Sequence, residues 1–245
     1  MKFAIFSDVH ANLEALEAML AHADRQHIDQ YLCLGDVIGY GANPNECVER
    51  VRALDSLVCL RGNHDAAALD ARERVFFHEV ALEGIHYSAL HLSPDNAEYL
   101  RALPYVYRDH ARMMAVHASP FRPEAWEYVL DSAGAERAFE AMVPARVCFI
   151  GHSHAPVVFV DDGSVQRYPA QDPLHLDLAR HRYVMNVGSV GQPRDGNPDA
   201  SYVVFDDVTD EVVHHRVRYD REKAAEKILR AGLPPVLAER LLIGY

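Results

Sequence analysis

The chain predicts an α/β fold with a mixed sheet system, and two observations carry that expectation. In the first half, short apolar runs alternate with stretches of helical periodicity, the pattern of parallel strands joined by helical crossovers. In the second half, apolar runs come in pairs around short polar turns, the pattern of antiparallel hairpins. The 245 residues contain no internal repeat, low-complexity tract or Pro/Gly/Ser-rich linker, so one domain over residues 1–245 is expected.

Residues 3–6 (FAIF) read as the first strand. Asn12 can cap a helix with Leu13, Leu16 and Leu20 on one face and Glu14 and Glu17 near its positive end. Residues 31–34 form the next strand. Asn43-Pro44 opens a second helix whose apolar side holds Cys47, Val48, Val51 and Leu54. Residues 57–60 are a third strand, and the stretch from about residue 72 to 103 is mainly helical, broken around Ser93-Pro94. Residues 113–116 and 147–150 are further strands, separated by a helix over 133–142. Residues 157–160 and 164–168 flank Asp161-Asp162-Gly163 as a hairpin, and residues 202–205 and 212–219 flank an acidic turn as another. Two helices follow, split at Gly232-Leu233-Pro234-Pro235.

Composition narrows the function classes. Hydrophobic residues make up 49% and charged residues 24%, an ordinary soluble globular profile. No apolar run approaches the roughly 20 residues a bilayer span needs. The apolar stretch after Lys2 stops at Ser7-Asp8, too short for a secretory leader, so a cytoplasmic location is expected. A net charge of −12 argues against duplex DNA or membrane surfaces as partners, and no basic track supports a nuclease. A phosphate-bearing substrate stays compatible, because bound divalent cations reverse the local field. Cys33, Cys47, Cys59 and Cys148 form no CxxC pair, and three lie inside apolar runs, so neither a disulfide nor a cysteine-bound zinc is expected.

Five apolar runs end alike. FAIF is followed by Ser7-Asp8-Val9-His10, YLCL by Gly35-Asp36, LVCL by Arg61-Gly62-Asn63-His64-Asp65, MMAV by His117, and VCFI by Gly151-His152-Ser153-His154. Each buried strand thus delivers Asp, Asn or His at its carboxyl end, the edge where α/β sheets bind ligands. In extended segments, Asp8 with His10 and His152 with His154 would project to one side, and each pair could clamp an ion. Gly35, Gly62 and Gly151 permit the sharp turns and close backbone approach such loops need. The donors are two Asp, one Asn and four His, which suit Mn, Fe, Zn, Co or Ni better than Ca or Mg. Seven donors exceed one tetrahedral ion and suit two ions sharing a carboxylate. Each motif alone is weak: an Asp after a strand can cap a helix, and GNHD can be a turn. His22, His27, His78, His86, His91, His110, His175, His181, His214 and His215 carry no such pattern and are left unassigned.

In this order, DVH, GD, GNHD, VH and GHSH over about residues 3–154 resemble the calcineurin-like metallophosphoesterase superfamily. The segment Asn186-Val187-Gly188-Ser189-Val190-Gly191-Gln192-Pro193-Arg194 is similar to the later part of its small bacterial and archaeal members. The resemblance implies a four-layer α/β/β/α sandwich with a di-metal site at its top. It implies that Asp8, His10 and His154 hold one ion, that Asn63, His117 and His152 hold the other, and that Asp36 bridges them. The implied cofactors are two divalent ions, manganese favoured, and the implied reaction is in-line displacement at phosphorus by metal-activated water. His64 would donate a proton or hydrogen bond to the leaving oxygen, with Asp65 either orienting it or serving the fold. Asn12 and Tyr40 could face the phosphate, Asn12 alternatively acting only as a helix cap. Arg194 is the candidate phosphate clamp, with a surface salt bridge as its competing role.

One departure bears on the substrate. Protein phosphatases of this superfamily carry Asp-Arg in a GDxVDRG motif, whereas this chain has Gly35-Asp36-Val37-Ile38-Gly39-Tyr40-Gly41. The missing arginine puts phosphoprotein substrates in doubt and favours a small phosphodiester or nucleotide. The alternative is a non-catalytic scaffold on the same fold that binds a protein partner. The complete ligand set and His64 argue against it.

Overall fold

Strand burial sets the layering. The computed structural model describes residues 1–109, 112–170 and 173–245. Its elements in chain order begin with β1 (Lys2–Phe6), α1 (Leu13–Ala23), β2 (Gln30–Cys33), α2 (Pro44–Arg52), β3 (Leu57–Cys59), α3 (Asn63–Leu69), α4 (Glu79–His91) and α5 (Pro94–Ala102). Next come β4 (Val106–Asp109), β5 (Met113–Val116), α6 (Ser132–Ala141), β6 (Val147–Ile150), β7 (Val157–Asp161), β8 (Val165–Pro169), β9 (Leu174–His175) and β10 (Arg182–Asn186). The last are β11 (Ala200–Asp206), β12 (Glu211–Val217), α7 (Arg221–Arg230) and α8 (Pro235–Ile243).

Two six-stranded mixed sheets result, in the orders β3-β2-β1-β11-β12-β9 and β4-β5-β6-β10-β7-β8. The pairs β1–β2, β2–β3, β5–β6 and β6–β10 are parallel. Because successive side chains alternate, β1 turns Phe3 and Ile5 toward the second sheet and Ala4 and Phe6 toward the helices. Phe205 of β11 meets Phe149 of β6 across the sheets, ring centres 5.4 Å apart. On the far side of the first sheet, Ala4 and Phe6 pack with Leu16, Met19 and Leu20 of α1. On the far side of the second, Cys148 and Ile150 pack with Ala135, Ala138 and Phe139 of α6. Each fully buried phenylalanine contributes about 1.5–3 kcal/mol. The architecture is the expected α/β/β/α sandwich.

Four details differ from the expected elements. The helical stretch starts later, at Glu79, after a 3-10 turn over Ala71–Phe76. GNHD is not a turn: Asn63 is the first residue of α3. β4 and β9 extend sheet edges that carry no strong apolar run, and β10, with only Tyr183-Val184-Met185 apolar between Arg182 and Asn186, sits centrally in the second sheet. The strand expected over residues 212–219 ends at Val217. All four cysteines are buried and free. Among the described residues, no helix is long and apolar enough to cross a membrane.

Candidate metal centre

The carboxyl ends of the parallel strands in both sheets meet at one edge. Asp8 and His10 follow β1, Asp36 follows β2, Asn63 opens α3 after β3, His117 follows β5, and His152 and His154 follow β6. All seven are buried, Asn63 being the most accessible at 7%. Buried polar groups need partners, so this cluster must be answered by something.

The local backbone is not extended, which corrects the pairing inferred from spacing. Asp8, His10, Asp36, His152 and His154 all adopt left-handed conformations, with φ between 50° and 66°. Such residues cost about 1–3 kcal/mol each and persist where the surroundings over-determine them. Their turns send His152 and His154 to different groups. Asp8, His10 and His154 bring donor atoms within 4.8 Å of one another, and so do Asp36, His117 and His152. Two glycines make room for this. A Cβ on Gly62 would lie 2.1 Å from Asp36 Oδ1, and one on Gly151 would lie 2.5 Å from Asp8 Oδ2.

Tautomers follow from the outer contacts. The Nδ1 atoms of His10, His117 and His154 face the carbonyl oxygens of Ile38, Leu34 and Gln192 at 3.2, 3.1 and 2.6 Å. A carbonyl only accepts, so each Nδ1 carries the hydrogen and each Nε2 turns inward. His10 Nε2 and His154 Nε2 then stand 3.0 Å apart with their lone pairs converging. Asp8 Oδ1 lies 3.6 and 3.2 Å from them and, although buried, has no hydrogen bond. Three electron-rich atoms so placed repel one another unless a cation sits among them. In the second group, His117 Nε2 is 2.9 Å from Asn63 Oδ1, and His152 Nε2 is buried without a partner. Asp36 Oδ2 reaches both groups, 3.7 Å from His10 Nε2 and 3.4 Å from His117 Nε2. The other carboxylate oxygens are pinned, Asp36 Oδ1 by the His64 N–H at 2.8 Å and Asp8 Oδ2 by the His152 N–H at 3.0 Å. This oxygen-and-imidazole donor set fits divalent cations.

The electrostatics agree. Burial opposes charge on Asp8 and Asp36, but the surrounding imidazoles outweigh it and hold both well below the usual carboxylate range. Burial also opposes charge on His117, yet Asp36 and Asp8 push its imidazole up to about 9. Burial dominates at His152 and His154, which fall to about 3 and about 4, so both stay neutral and ready to ligate.

The five remaining expected residues resolve differently. His64 lines a cavity of about 160 Å³ beside the cluster, its ring 4.7 Å from that of His10 and its Nδ1 buried without a partner. It also brings a ring nitrogen within 4.8 Å of donor atoms of His10 and Asp36. Asp65 does not orient it. Adjacent residues on a helix do not face each other, and the Asp65 carboxylate accepts the N–H groups of Asp36, Ile38 and Gly62 at 2.8, 3.2 and 3.0 Å. It therefore fixes the loop that carries Asp36, and with Asp36 nearby its own burial pushes it up to about 7. Asn12 is also spent within the fold: its oxygen caps α1 through the Ala15 N–H at 3.1 Å, and its nitrogen donates to Gly191 O at 2.9 Å. It does not line the cavity, and its side chain serves as the helix cap.

Tyr40 and Arg194 do line the cavity. The guanidinium of Arg194 lies over the Tyr40 ring, 5.4 Å from its centre, and donates to Gln192 Oε1 at 2.8 Å, while its Nε is buried and unpartnered. The segment after β10 locks the site: Ser189 Oγ donates to Asp8 O at 2.9 Å, and Asn186 Nδ2 donates to Ser153 Oγ at 2.9 Å. Residues the motifs do not reveal also line the cavity, notably Phe76, Phe77, Trp126 and Tyr128. Tyr128 stacks on His152 with ring centres 4.0 Å apart. The available signal was the chain's single tryptophan in an irregular stretch after His117. Of the unassigned histidines, His78 lines the cavity, and His110 lies outside the described residues.

Comparison with known proteins accords with this geometry. The model of the calcineurin-like phosphoesterase superfamily domain matches residues 1–210. The chain is 38% identical over 244 residues to an uncharacterized protein of Methanocaldococcus jannaschii, covering 98% of this chain and 97% of that one. A metallophosphoesterase structure from Sphaerobacter thermophilus is 37% identical, with a TM-score of 0.88 over 100% of this chain and 99% of that one. A hypothetical protein from Pyrococcus horikoshii, 20% identical, shares the fold with a TM-score of 0.83 over 100% of this chain and 98% of its own. The clustered strand ends and the matched family model lead to one conclusion: this chain belongs to the calcineurin-like phosphoesterase superfamily.

Proposed function

We propose that this chain hydrolyses small phosphate esters, diesters or nucleotides rather than phosphoproteins, with two divalent cations as cofactors. The observation that carries the reading is the 3.0 Å approach of His10 Nε2 to His154 Nε2 beside the unpartnered Asp8 Oδ1, an arrangement that calls for a cation. Asp8, His10 and His154 would hold one ion, Asn63, His117 and His152 the other, and Asp36 both. Manganese is our first choice among Mn, Fe, Zn, Co and Ni. Such ions, when bound, act as Lewis acids toward phosphate oxygens and make water a competent nucleophile near neutral pH.

The chain's own groups supply the rest. The His64 imidazole, open to the cavity, would hydrogen-bond or protonate the leaving oxygen. Arg194 would clamp a phosphate oxygen, with Tyr40 bracing its guanidinium. Asp65 is a positioning residue that acts through the Asp36 loop. Tyr40 stands where the protein phosphatases have their motif arginine, which supports the preference for small substrates. The reading takes residues 1–245 as one cytoplasmic domain, both sheets contributing to one site. The test is hydrolysis of p-nitrophenyl phosphate and bis-p-nitrophenyl phosphate by protein stripped of metal and reloaded with Mn²⁺. Release of p-nitrophenolate only after reloading is expected, and inertness toward both esters refutes the proposal.

A further inference from the structure

We infer that the site takes a phosphodiester bearing a planar aromatic group, a nucleobase or aryl ester, seated against an aromatic wall formed by Phe76, Phe77, Trp126 and Tyr128. The inference rests on the phosphoesterase reading and narrows its substrate class.

The wall is built from two separate segments. Phe76 and Phe77 lie between α3 and α4, and Trp126 and Tyr128 lie between β5 and α6. All four line the cavity beside the donor cluster. Phe76 is 95% exposed, whereas Phe3, Phe6, Phe139, Phe149, Phe159 and Phe205 are buried. A large apolar ring open to water at the mouth of a polar site serves no packing purpose in the free protein, and a ligand that covers it gives it one. The wall also begins where the reacting phosphorus would lie. Phe77 meets His64 edge-on at 4.9 Å, Tyr128 stacks on His152 at 4.0 Å, and Trp126 approaches His117 at 5.9 Å. A ring attached to the phosphate through one ester oxygen is therefore within reach of these faces.

Charge beyond the metal cluster favours the diester. Among the described residues, Arg194 is the only lysine or arginine lining the cavity, and Glu73 lines it too. The cations at the donor cluster would meet the reacting phosphate itself, and beyond them this one guanidinium is left for any further negative charge on the substrate. The Glu73 carboxylate opposes a dianionic monoester or a polyphosphate tail. The Trp126 indole N–H is buried and donates to nothing, so it offers a ready donor to a ring heteroatom or an ester oxygen.

The test uses manganese-loaded protein and two unactivated diesters, diphenyl phosphate and dibutyl phosphate, in calorimetric titrations of wild type and Phe76→Ala. Phe76 is almost fully exposed, so its truncation leaves the core intact. Because stacking on one aromatic side chain is worth a fewfold or more, diphenyl phosphate should bind wild type at least about fivefold more tightly. In Phe76→Ala that preference should collapse with metal content unchanged, and kcat/KM for bis-p-nitrophenyl phosphate should fall in parallel. Equal binding of the two diesters, or a preference that survives in Phe76→Ala, overturns the aromatic seat. If bis-p-nitrophenyl phosphate is hydrolysed in either of those cases, the phosphoesterase reading stands without it. If wild type hydrolyses no ester, that reading and the inference built on it both fail.

Discussion

Gly62→Ala isolates the position of Asp36 without touching a donor atom. Gly62 has φ −98°, which alanine adopts freely, so the substitution adds one methyl group and no backbone strain. That methyl would stand 2.1 Å from Asp36 Oδ1 and 2.3 Å from Asp36 N, where ordinary contact begins near 3.4 Å. The carboxylate or α3 must therefore shift by more than about 1 Å, a displacement that typically costs on the order of 10²-fold in rate at a preorganised site. The shift also breaks the 2.8 Å hydrogen bond from His64 N–H and so moves His64 with Asp36. Overpacking of this kind destabilises by about 1–3 kcal/mol, or roughly 2–12 °C in Tm for a chain of this size. The assay is kcat/KM for bis-p-nitrophenyl phosphate at saturating Mn²⁺, with metal content and circular dichroism measured on the same samples. Gly134→Ala is the control, because its nearest contact is 3.4 Å and it lies in a helix. A folded Gly62→Ala with wild-type turnover and metal content would refute the claim that the close approach of Gly62 places Asp36.

Four further outcomes are expected. Asp36→Asn should lose both metal occupancy and turnover, since it removes the one anionic oxygen that reaches both donor groups; full metal content in this variant contradicts its bridging role. Trp126, the only tryptophan, lies 5.9 Å from His117, so added Co²⁺ should quench its fluorescence in wild type and far less in Asp36→Asn. His64→Ala should keep its metals but lose about 10²–10⁴-fold in rate, and unchanged turnover would show that His64 does not serve the leaving group. Metal-free protein should lose stability on acidification. Burial lowers His64, His152 and His154 below 6.5, the last two to about 3 and about 4, so their contribution is full above 6.5 and fades as pH falls toward those values. Asp65, raised to about 7, works in the opposite direction, and so does His117, raised to about 9, but only above about 6.5, so below 6.5 one group opposes three. The urea midpoint should therefore fall between about pH 6.5 and about pH 5, and a constant midpoint contradicts this assignment.

The strands that carry donor residues were legible because they are buried on both faces. FAIF, YLCL, MMAV and VCFI are unbroken apolar runs, and the polar residue that ends each one marks the sheet edge. β10 was not legible, since three apolar residues between Arg182 and Asn186 give too short a signal, although the strand is central. The donor identities were legible, but their backbone was not. Asp and His tolerate φ above zero, and nothing in DVH or GHSH announces the left-handed turns that separate His152 from His154. Adjacency misled for Asp65: next to His64 in the chain, it points away from it because α3 starts at Asn63. Asn12 had two readings, and its fully used hydrogen bonds select the cap. The aromatic wall comes from irregular segments far apart in the chain, where neither period nor motif links Phe76 to Trp126.

The two-cation reading of the buried cluster requires both ions to share Asp36. Anomalous diffraction from manganese-soaked crystals, recorded above and below the manganese edge, tests it most directly. Two peaks are expected, one among Asp8, His10 and His154 and one among Asn63, His117 and His152, both touching Asp36. A single peak, or peaks elsewhere on the molecule, would contradict it.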